Sequence, residues 1–181
     1  MKTKIFCDIA DYNLINRFNQ KKIVKGFTTN PSLMRKAGAK DYSVYSKKIL
    51  KRTNKPVSLE VFADDIDKMI EQGDKISRWG KNVYVKVPVT NSKGKFMGVV
   101  IKKLNRDKIK LNITAVYKAD QTKKILKQIN KDSNCFFGSS RLSFMKSSLK
   151  KPAININQIS PLYLLRRNHL AIDLLIHHFL K

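Results

Sequence analysis

Short apolar segments alternate with longer amphipathic segments along most of the chain. Runs of apolar and β-branched residues predict strands, and segments whose apolar residues recur every three or four positions predict helices. The predicted strands cover residues 4–10, 23–29, 56–62, 82–89, 110–116 and 134–138. The predicted helices cover residues 11–20, 32–37, 42–51, 64–79, 99–104 and 120–129. Strands and helices therefore alternate, with a pair of helices after the second strand.

This alternation predicts right-handed βαβ units and a parallel sheet. No glycine-rich fingerprint of a dinucleotide or phosphate loop follows the first strand, so a doubly wound nucleotide-binding sheet is less favoured than a barrel. We therefore expect one domain over residues 1–181 with a TIM-type (β/α)8 barrel fold. Complete barrels of this kind usually need at least about 200 residues. Since the chain has 181, the barrel could also stop after its fifth or sixth βα unit.

Five successive predicted strands each end in a chemically useful polar group. These groups are Asp8, Thr28-Thr29-Asn30, Glu60, Lys86 and Asn112-Ile113-Thr114. Each one alone is most simply explained as a solvated strand end, as a helix cap at Asp8, or as a turn residue at Asn30, although Asp11 suits the cap role better than Asp8. Together they indicate an active site, because polar residues at the carboxyl ends of barrel strands converge on one face.

Lys86 is the strongest single candidate for chemistry. It interrupts an apolar strand, Val83-Tyr84-Val85-Lys86-Val87-Pro88-Val89. A buried amine is costly when charged, and burial lowers a lysine pKa, which makes the amine a usable nucleophile at neutral pH. The alternative is a lysine whose stem packs in the core while its ammonium group reaches water.

The net charge of +25 first suggests nucleic acid or another anionic surface as a partner. The basic residues, however, occur in every predicted helix rather than in one stripe, and they accompany many asparagine and isoleucine residues. We therefore read the charge as a chain-wide compositional bias and do not expect nucleic acid as a partner. A cationic enzyme that acts on anionic, phosphorylated substrates would carry the same sign of charge.

Few other sequence features point to a special class of protein. The two cysteines suggest neither a disulfide framework nor a zinc site, and they fit a reducing cytoplasm. No apolar run approaches the roughly 20 residues of a membrane helix, and the first residues do not resemble a signal peptide. The adjacent His177 and His178 could suggest metal binding, but no third ligand lies at a suitable spacing. We treat both of them and His169 as ordinary helix-surface residues, so no metal site is predicted.

The strand-end motifs closely resemble the transaldolase family. In order and spacing they are Phe6-Cys7-Asp8-Ile9-Ala10, Gly26-Phe27-Thr28-Thr29-Asn30-Pro31-Ser32-Leu33, Val57-Ser58-Leu59-Glu60-Val61, Val85-Lys86-Val87-Pro88-Val89-Thr90 and Leu111-Asn112-Ile113-Thr114-Ala115-Val116. The resemblance covers residues 1 to about 130 and is closest to the small-subunit branch, which includes fructose-6-phosphate aldolase-like proteins. It implies a cytoplasmic enzyme of carbohydrate metabolism and the pentose phosphate pathway.

The resemblance also implies a class I aldolase mechanism without a metal or organic cofactor. Lys86 would form a Schiff base with a ketose phosphate, and Asp8 would move the proton of the hydroxyl at which the carbon–carbon bond breaks. Glu60 and Thr114 would hold the water of carbinolamine dehydration. Asn30, Thr29 and Asn112 would orient the dihydroxyacetone unit, which is either transferred or released. Small members of this family tend to form rings of subunits, so a homo-oligomer is also implied.

The last third of the chain follows the family pattern less closely. Arg141 is displaced from the position of the family's phosphate-binding arginine, and Ser160 in Ile159-Ser160-Pro161 is similar to its seventh-strand serine. Both are candidate substrate-binding residues, with Arg141 the candidate for the phosphate. The segment could belong to a shortened, divergent member, to the product of a frame shift or internal deletion, or to a remodelled domain. The alternatives to an active enzyme are an impaired, basic polyanion-binding protein and a non-functional remnant.

Overall fold

The computed structural model describes residues 4–130, 134–139 and 160–165, and these residues form a barrel of parallel strands. The strands are β1 (Lys4–Asp8), β2 (Val24–Thr28), β3 (Val57–Glu60), β4 (Val83–Pro88), β5 (Leu111–Thr114), β6 (Cys135–Ser139) and β7 (Ser160–Leu165). The helices are α1 (Tyr12–Asn19), α2 (Pro31–Lys36), α3 (Tyr42–Leu50), α4 (Ile66–Ser77), α5 (Gly98–Arg106) and α6 (Ala119–Leu126).

Neighbouring strands pair in chain order, and β7 pairs in parallel with both β6 and β1. The sheet is therefore closed within the described residues, and its ring contains seven strands rather than the eight of a complete TIM-type barrel. The predicted β/α-barrel architecture is confirmed, including the six predicted strands and six predicted helices. The sequence pattern did not predict β7 as a strand.

Side-chain capping explains where several helices begin. The carboxylates of Asp11, Asp41 and Asp65 accept hydrogen bonds from backbone N–H groups in the first turns of α1, α3 and α4. Asn30 does the same for α2, where Pro31 occupies the first helical position and needs no N–H partner. These caps satisfy backbone donors that a helix cannot satisfy itself, and they fix the loops that carry the strand-end residues.

Side chains alternate in direction along the strands, and the two faces of the sheet therefore pack in two different environments. One face of each strand points outward and packs on the helices, as Leu59, Val85 and Ile113 do in the main hydrophobic core. The other face points into the barrel, where an aromatic cluster of Phe6 and Phe136, with Tyr84 packed on it, fills the amino-terminal half.

Close contacts between aromatic rings fill the amino-terminal half of the barrel interior. The ring of Phe136 lies 5.3 Å from the ring of Phe6 and 4.4 Å from that of Tyr84. Gly26 accommodates this packing because a Cβ there would lie 2.3 Å from the Phe6 ring and 2.6 Å from the Pro56 carbonyl oxygen. The open, polar part of the barrel interior is therefore its carboxyl-terminal half, where a barrel enzyme carries its site.

Among the described residues, none of the helices combines the length and the apolar character that crossing a bilayer requires.

Candidate active site

Lys86 and Glu60 form an ion pair inside the barrel. They are register partners on β4 and β3, and Lys86 Nζ lies 3.2 Å from Glu60 Oε2. Lys86 is only 5% exposed, and its ammonium group also donates to the Thr29 carbonyl oxygen at 3.3 Å. The alternative reading, in which the ammonium reaches water, is wrong. The amine is enclosed and faces a carboxylate.

Burial makes Glu60 a stronger base than an ordinary glutamate. Desolvation raises the pKa of Glu60, the Lys86 ammonium opposes this rise, and the negative charge of Asp8 adds to it. A carboxylate with a raised pKa takes up a proton more readily. Glu60 is therefore placed and tuned to accept a proton from the amine beside it.

Asp8 lies at the carboxyl end of β1 and is buried. The register places Asp8 opposite Thr28 on β2, and Thr28 opposite Ser58 on β3. Because side chains alternate along strands, all three belong to the inward-facing set. The influence of Asp8 on the pKa of Glu60 shows that the two carboxylates share one electrostatic environment.

Asn112 projects into the same interior from β5, where it is the register partner of Lys86. Its side-chain amide donates to Ser58 Oγ at 2.9 Å, so Ser58 fixes the orientation of the amide. Both residues are fully buried. Asn112 Oδ1 has no hydrogen-bond partner among the described residues, which leaves an oriented acceptor inside the barrel. An acceptor of this kind suits a substrate hydroxyl.

Asn30, Thr29 and Thr114 occupy the rim of the site in different ways. Asn30 caps α2 through its Oδ1, at 2.8 Å from Leu33 N, so its NH₂ group is the part that can contact a ligand. Thr29 contributes its backbone carbonyl to Lys86, while its buried hydroxyl has no partner among the described residues. Thr114 ends β5 beside Pro88 and is half-buried.

A cleft of about 630 Å³ opens from Glu60 toward α2 and α3. Its lining includes Asn30, Arg35, Lys40 and Phe62. The Arg35 guanidinium donates to Ser32 Oγ at 3.2 Å, which directs it along this side of the helix. Glu60 thus contacts the amine of Lys86 and also lines a cleft that contains two cationic side chains, Arg35 and Lys40.

The two substrate-binding candidates from the last third are not both placed. Arg141 lies outside the described residues. The backbone of Ser160 begins β7, opposite Phe136 on β6. The substrate-binding role of either residue stays a prediction.

Two contributors to the site were missed by the sequence reasoning. Ser58 is a buried polar residue on the inward face of its strand, and Tyr42 donates from its hydroxyl to the Glu60 carbonyl oxygen at 3.0 Å. Alternation could have found Ser58, because it lies two residues before Glu60 and so shares its face. No sequence signal singled out Tyr42, which reaches Glu60 from α3.

The remaining reactive side chains do not form a second centre in the described part of the chain. No group of three or more histidine, cysteine or acidic residues is arranged to hold a metal ion among those residues. Cys7 and Cys135 are free and buried, and burial raises the pKa of each thiol to about 12. Neither thiol is therefore a nucleophile near neutral pH.

The fold and the site define a β/α-barrel protein with an enclosed lysine–carboxylate pair at the carboxyl ends of its strands. The family model described as Transaldolase/Fructose-6-phosphate aldolase matches residues 5–161. The chain therefore belongs to the transaldolase/fructose-6-phosphate aldolase family, and the resemblance carried by the strand motifs is confirmed.

Relatives named "Probable transaldolase" align with the same region. The proteins of Methanococcus maripaludis (strain C6) and of Sulfurihydrogenibium sp. (strain YO3AOP1) are both 36% identical over 118 residues. The alignment covers 65% of this chain but 53% and 52% of those two proteins. The chain thus spans about half the length of the curated relatives it matches.

Solved structures of low sequence identity share the fold. A putative phosphonomutase from Burkholderia cenocepacia J2315 superposes with a TM-score of 0.63 at 10% identity, covering 99% of this chain and 93% of that one. N-acetylneuraminate lyase from Mycoplasma synoviae gives 0.58 at 12% identity, covering 95% and 65%. At these identities the likeness describes the barrel alone.

Proposed function

We propose that this protein is a transaldolase or a related class I aldolase that forms a Schiff base through Lys86. The substrate is a ketose phosphate such as fructose 6-phosphate. The observation that carries the proposal is the enclosed pair of Lys86 and Glu60, 3.2 Å apart, on the rungs of adjacent strands. Family membership supports the same chemistry.

The first step needs a neutral amine. Glu60 takes a proton from the Lys86 ammonium, and its raised pKa favours this transfer. The free amine then attacks the ketose carbonyl carbon and forms a carbinolamine. Glu60 returns the proton to the departing hydroxyl, water leaves, and a protonated imine remains. Thr114, at the end of the next strand, is the residue we assign to holding that water.

The second step breaks the bond between the carbon next to the imine carbon and the carbon beyond it, which is C3–C4 of the ketose. Asp8 removes the proton from the hydroxyl on the far carbon, whose C–O bond becomes the carbonyl of the leaving aldehyde. The bonding electrons move into the protonated imine and give an enamine on Lys86. Addition of the enamine to another aldehyde completes a transfer, while its protonation and hydrolysis release dihydroxyacetone.

Neutral polar groups orient the dihydroxyacetone unit during both steps. Asn112 offers an acceptor that Ser58 holds in place, and the NH₂ group of Asn30 offers a donor at the rim. Fixed partners of this kind lower the entropic cost of reaching the reactive geometry.

The cleft beyond Glu60 supports an anionic substrate. Arg35 and Lys40 line it together with Glu60, and both carry positive charge. We assign the phosphate of the bound sugar to this cleft, while Arg141 and Ser160 remain candidate ligands from the last third. For a sugar-phosphate enzyme of this family we expect a cytoplasmic location.

Reductive trapping tests the proposal. Incubation with fructose 6-phosphate and borohydride should fix a three-carbon adduct on the protein, and Lys86→Met should abolish it. A chain that gives no adduct under these conditions is not a Schiff-base aldolase.

A further inference from the structure

The two ends of the barrel differ strongly in charge. The amino face is defined here as the described loops that lead from a helix into the next strand, residues 20–23, 51–56, 78–82, 107–110 and 127–130. The carboxyl face comprises the loops that follow strands, together with the α2–α3 loop, residues 9–11, 29–30, 37–41, 61–65, 89–97 and 115–118. The amino face holds ten lysines and arginines against one aspartate, whereas the carboxyl face holds four against four.

Most cations of the amino face are open to solvent. Lys21, Lys22, Lys51, Lys81, Lys108 and Lys127 are exposed. The single carboxylate, Asp107, already pairs with Lys103 at 2.6 Å. Asp74 of α4 pairs with Arg78 of this face at 2.7 Å, and little other negative charge is left on the described loops to neutralise the face.

Hydrogen bonds join the basic loops into one surface. Lys55 Nζ donates to the carbonyl oxygen of Lys21 at 3.0 Å, which links the loops before β2 and β3. Lys110 Nζ donates to the carbonyl oxygen of Lys81 at 2.7 Å, which links the loops before β4 and β5. Burial lowers the pKa of Lys55, and the nearby positive charge of Lys25 lowers it further. The charges of Lys25 and Lys55 therefore repel each other.

Helix capping accounts for only part of this asymmetry. The negative end of each helix dipole favours a cation in or just after the last turn. Lys55, Lys81 and Lys110 instead lie just before strands, at the rim of the barrel. Ten basic residues that are dispersed along the sequence are thus gathered on one face by the fold, because α1, α3, α4, α5 and α6 all end at this end of the barrel.

We propose that the amino face binds the phosphate backbone of nucleic acid, on the opposite side of the barrel from the aldolase site. Cations spread over a broad face suit repeated phosphates and carry no base-specific readout. A membrane surface fits less well, because stable interfacial binding inserts apolar side chains. The large exposed apolar residues in the described part are Val44, Phe62, Val99 and Tyr117, which lie in loops after strands or in first helical turns, away from the amino face.

Binding of the full chain to a labelled 30-nucleotide RNA of mixed sequence tests this proposal, with anisotropy measured between about 50 and 200 mM salt. We expect log K to fall linearly with log salt, with a slope of about −2 to −4, as for roughly three to five phosphate contacts on a single strand. Two fourfold variants remove equal charge. Lys21→Gln, Lys22→Gln, Lys51→Gln and Lys81→Gln change the amino face, and Lys68→Gln, Lys93→Gln, Lys95→Gln and Lys118→Gln change exposed positions toward the other end.

The amino-face variant should lose at least about tenfold in affinity and show a shallower salt slope. The control variant should stay within about twofold. Equal losses in both variants would mean that overall charge alone attracts RNA, and would overturn the proposal. Binding to vesicles of anionic phospholipid but not to RNA would also overturn it. If the fourfold variant does not fold, Lys81→Glu against Lys95→Glu makes the same comparison with one residue and two units of charge changed in each, and an equal effect of the two again contradicts the proposal.

Discussion

Lys86 Nζ lies 3.2 Å from Glu60 Oε2 because the two residues are register partners on adjacent parallel strands. The backbone ladder thus sets the separation of amine and carboxylate, and neither side chain depends on a mobile loop for its position. The enclosure of Glu60 makes its pKa responsive to the positive charge of Lys86. This relationship gives the first prediction, which concerns pH.

Glu60 should control the acid side of the pH–rate profile. Burial raises the pKa of Glu60 above its ordinary 4.5, so the carboxylate becomes protonated, and unable to accept a proton from Lys86, at a higher pH than a free glutamate does. We expect kcat/KM for ketose cleavage to fall on acidification through a limb centred above pH 4.5. Glu60→Gln should lower kcat by about 10²–10⁴-fold and remove that limb. A variant with an unchanged limb would assign the titration to another group.

Asp8 should affect the rate of bond cleavage more than the binding of the ketose. Its place at the end of β1, in the electrostatic environment of Glu60, suits proton transfer at the hydroxyl of the breaking bond. Asp8→Asn preserves shape and removes the base, so kcat should fall by about 10²–10⁴-fold. The Lys86 adduct should still form on borohydride treatment with dihydroxyacetone, because that step precedes cleavage. Unchanged turnover would refute the role of Asp8.

Arg35 and Lys40 should determine the affinity for phosphorylated substrates. Partly exposed charge pairs contribute on the order of 1 kcal/mol, so Arg35→Ala or Lys40→Ala should raise KM for fructose 6-phosphate by about 3- to 10-fold. KM for free dihydroxyacetone should hardly change. Lys36→Ala is the matched control, since Lys36 lies next to Arg35 on α2 but does not line the cleft. The same rise in KM in the control would show that general charge, not the cleft, attracts the substrate.

Gly26 should be required for the packing of the amino-terminal half of the barrel interior. A Cβ at this position would meet the Phe6 ring at 2.3 Å and the Pro56 backbone oxygen at 2.6 Å, and the backbone contact cannot be relieved by a rotamer change. Overpacking of this kind typically costs about 1–3 kcal/mol, so Gly26→Ala should lower the urea midpoint accordingly. Lys25→Ala, at an exposed neighbouring position, is the control. An unaltered midpoint in Gly26→Ala would show that the aromatic cluster of Phe6, Phe136 and Tyr84 is packed less tightly than in the structure.

The sequence was informative wherever local pattern determines structure. Alternating strand and helix signals predicted the barrel, and the polar strand ends predicted that Glu60, Lys86 and Asn112 would converge, because parallel strands end on one face. The pattern did not identify Ser58 as the partner of Asn112, since that contact passes between β3 and β5 across the barrel interior. Contacts of this kind depend on closure of the ring, which no local signal encodes.

The spatial distribution of the charge could not be predicted from the sequence for a related reason. Lysines that are separated along the chain looked dispersed, but Lys55 and Lys110 each bond to the preceding basic loop in the folded barrel. The resemblance compared Ser160 with the family's seventh-strand serine, but the pattern of strands and helices did not predict closure by β7. Pro161, the second residue of this strand, lacks the N–H of a regular ladder residue. The pairing of β7 with both β6 and β1 is a property of the whole ring.

The most direct test of the account is the site of imine formation. Wild-type protein is treated with fructose 6-phosphate and borohydride, digested, and mapped by mass spectrometry for the reduced three-carbon adduct. The account predicts about one adduct per chain, confined to the peptide that contains Lys86, and none in Lys86→Met, whose thermal melt should remain cooperative. Lys86→Met also removes the ion-pair partner of Glu60. Lys95→Met replaces an exposed lysine and serves as the control variant, which should label normally. Adduct formation that persists in Lys86→Met, or that is distributed over exposed lysines in the wild type, would contradict the central claim.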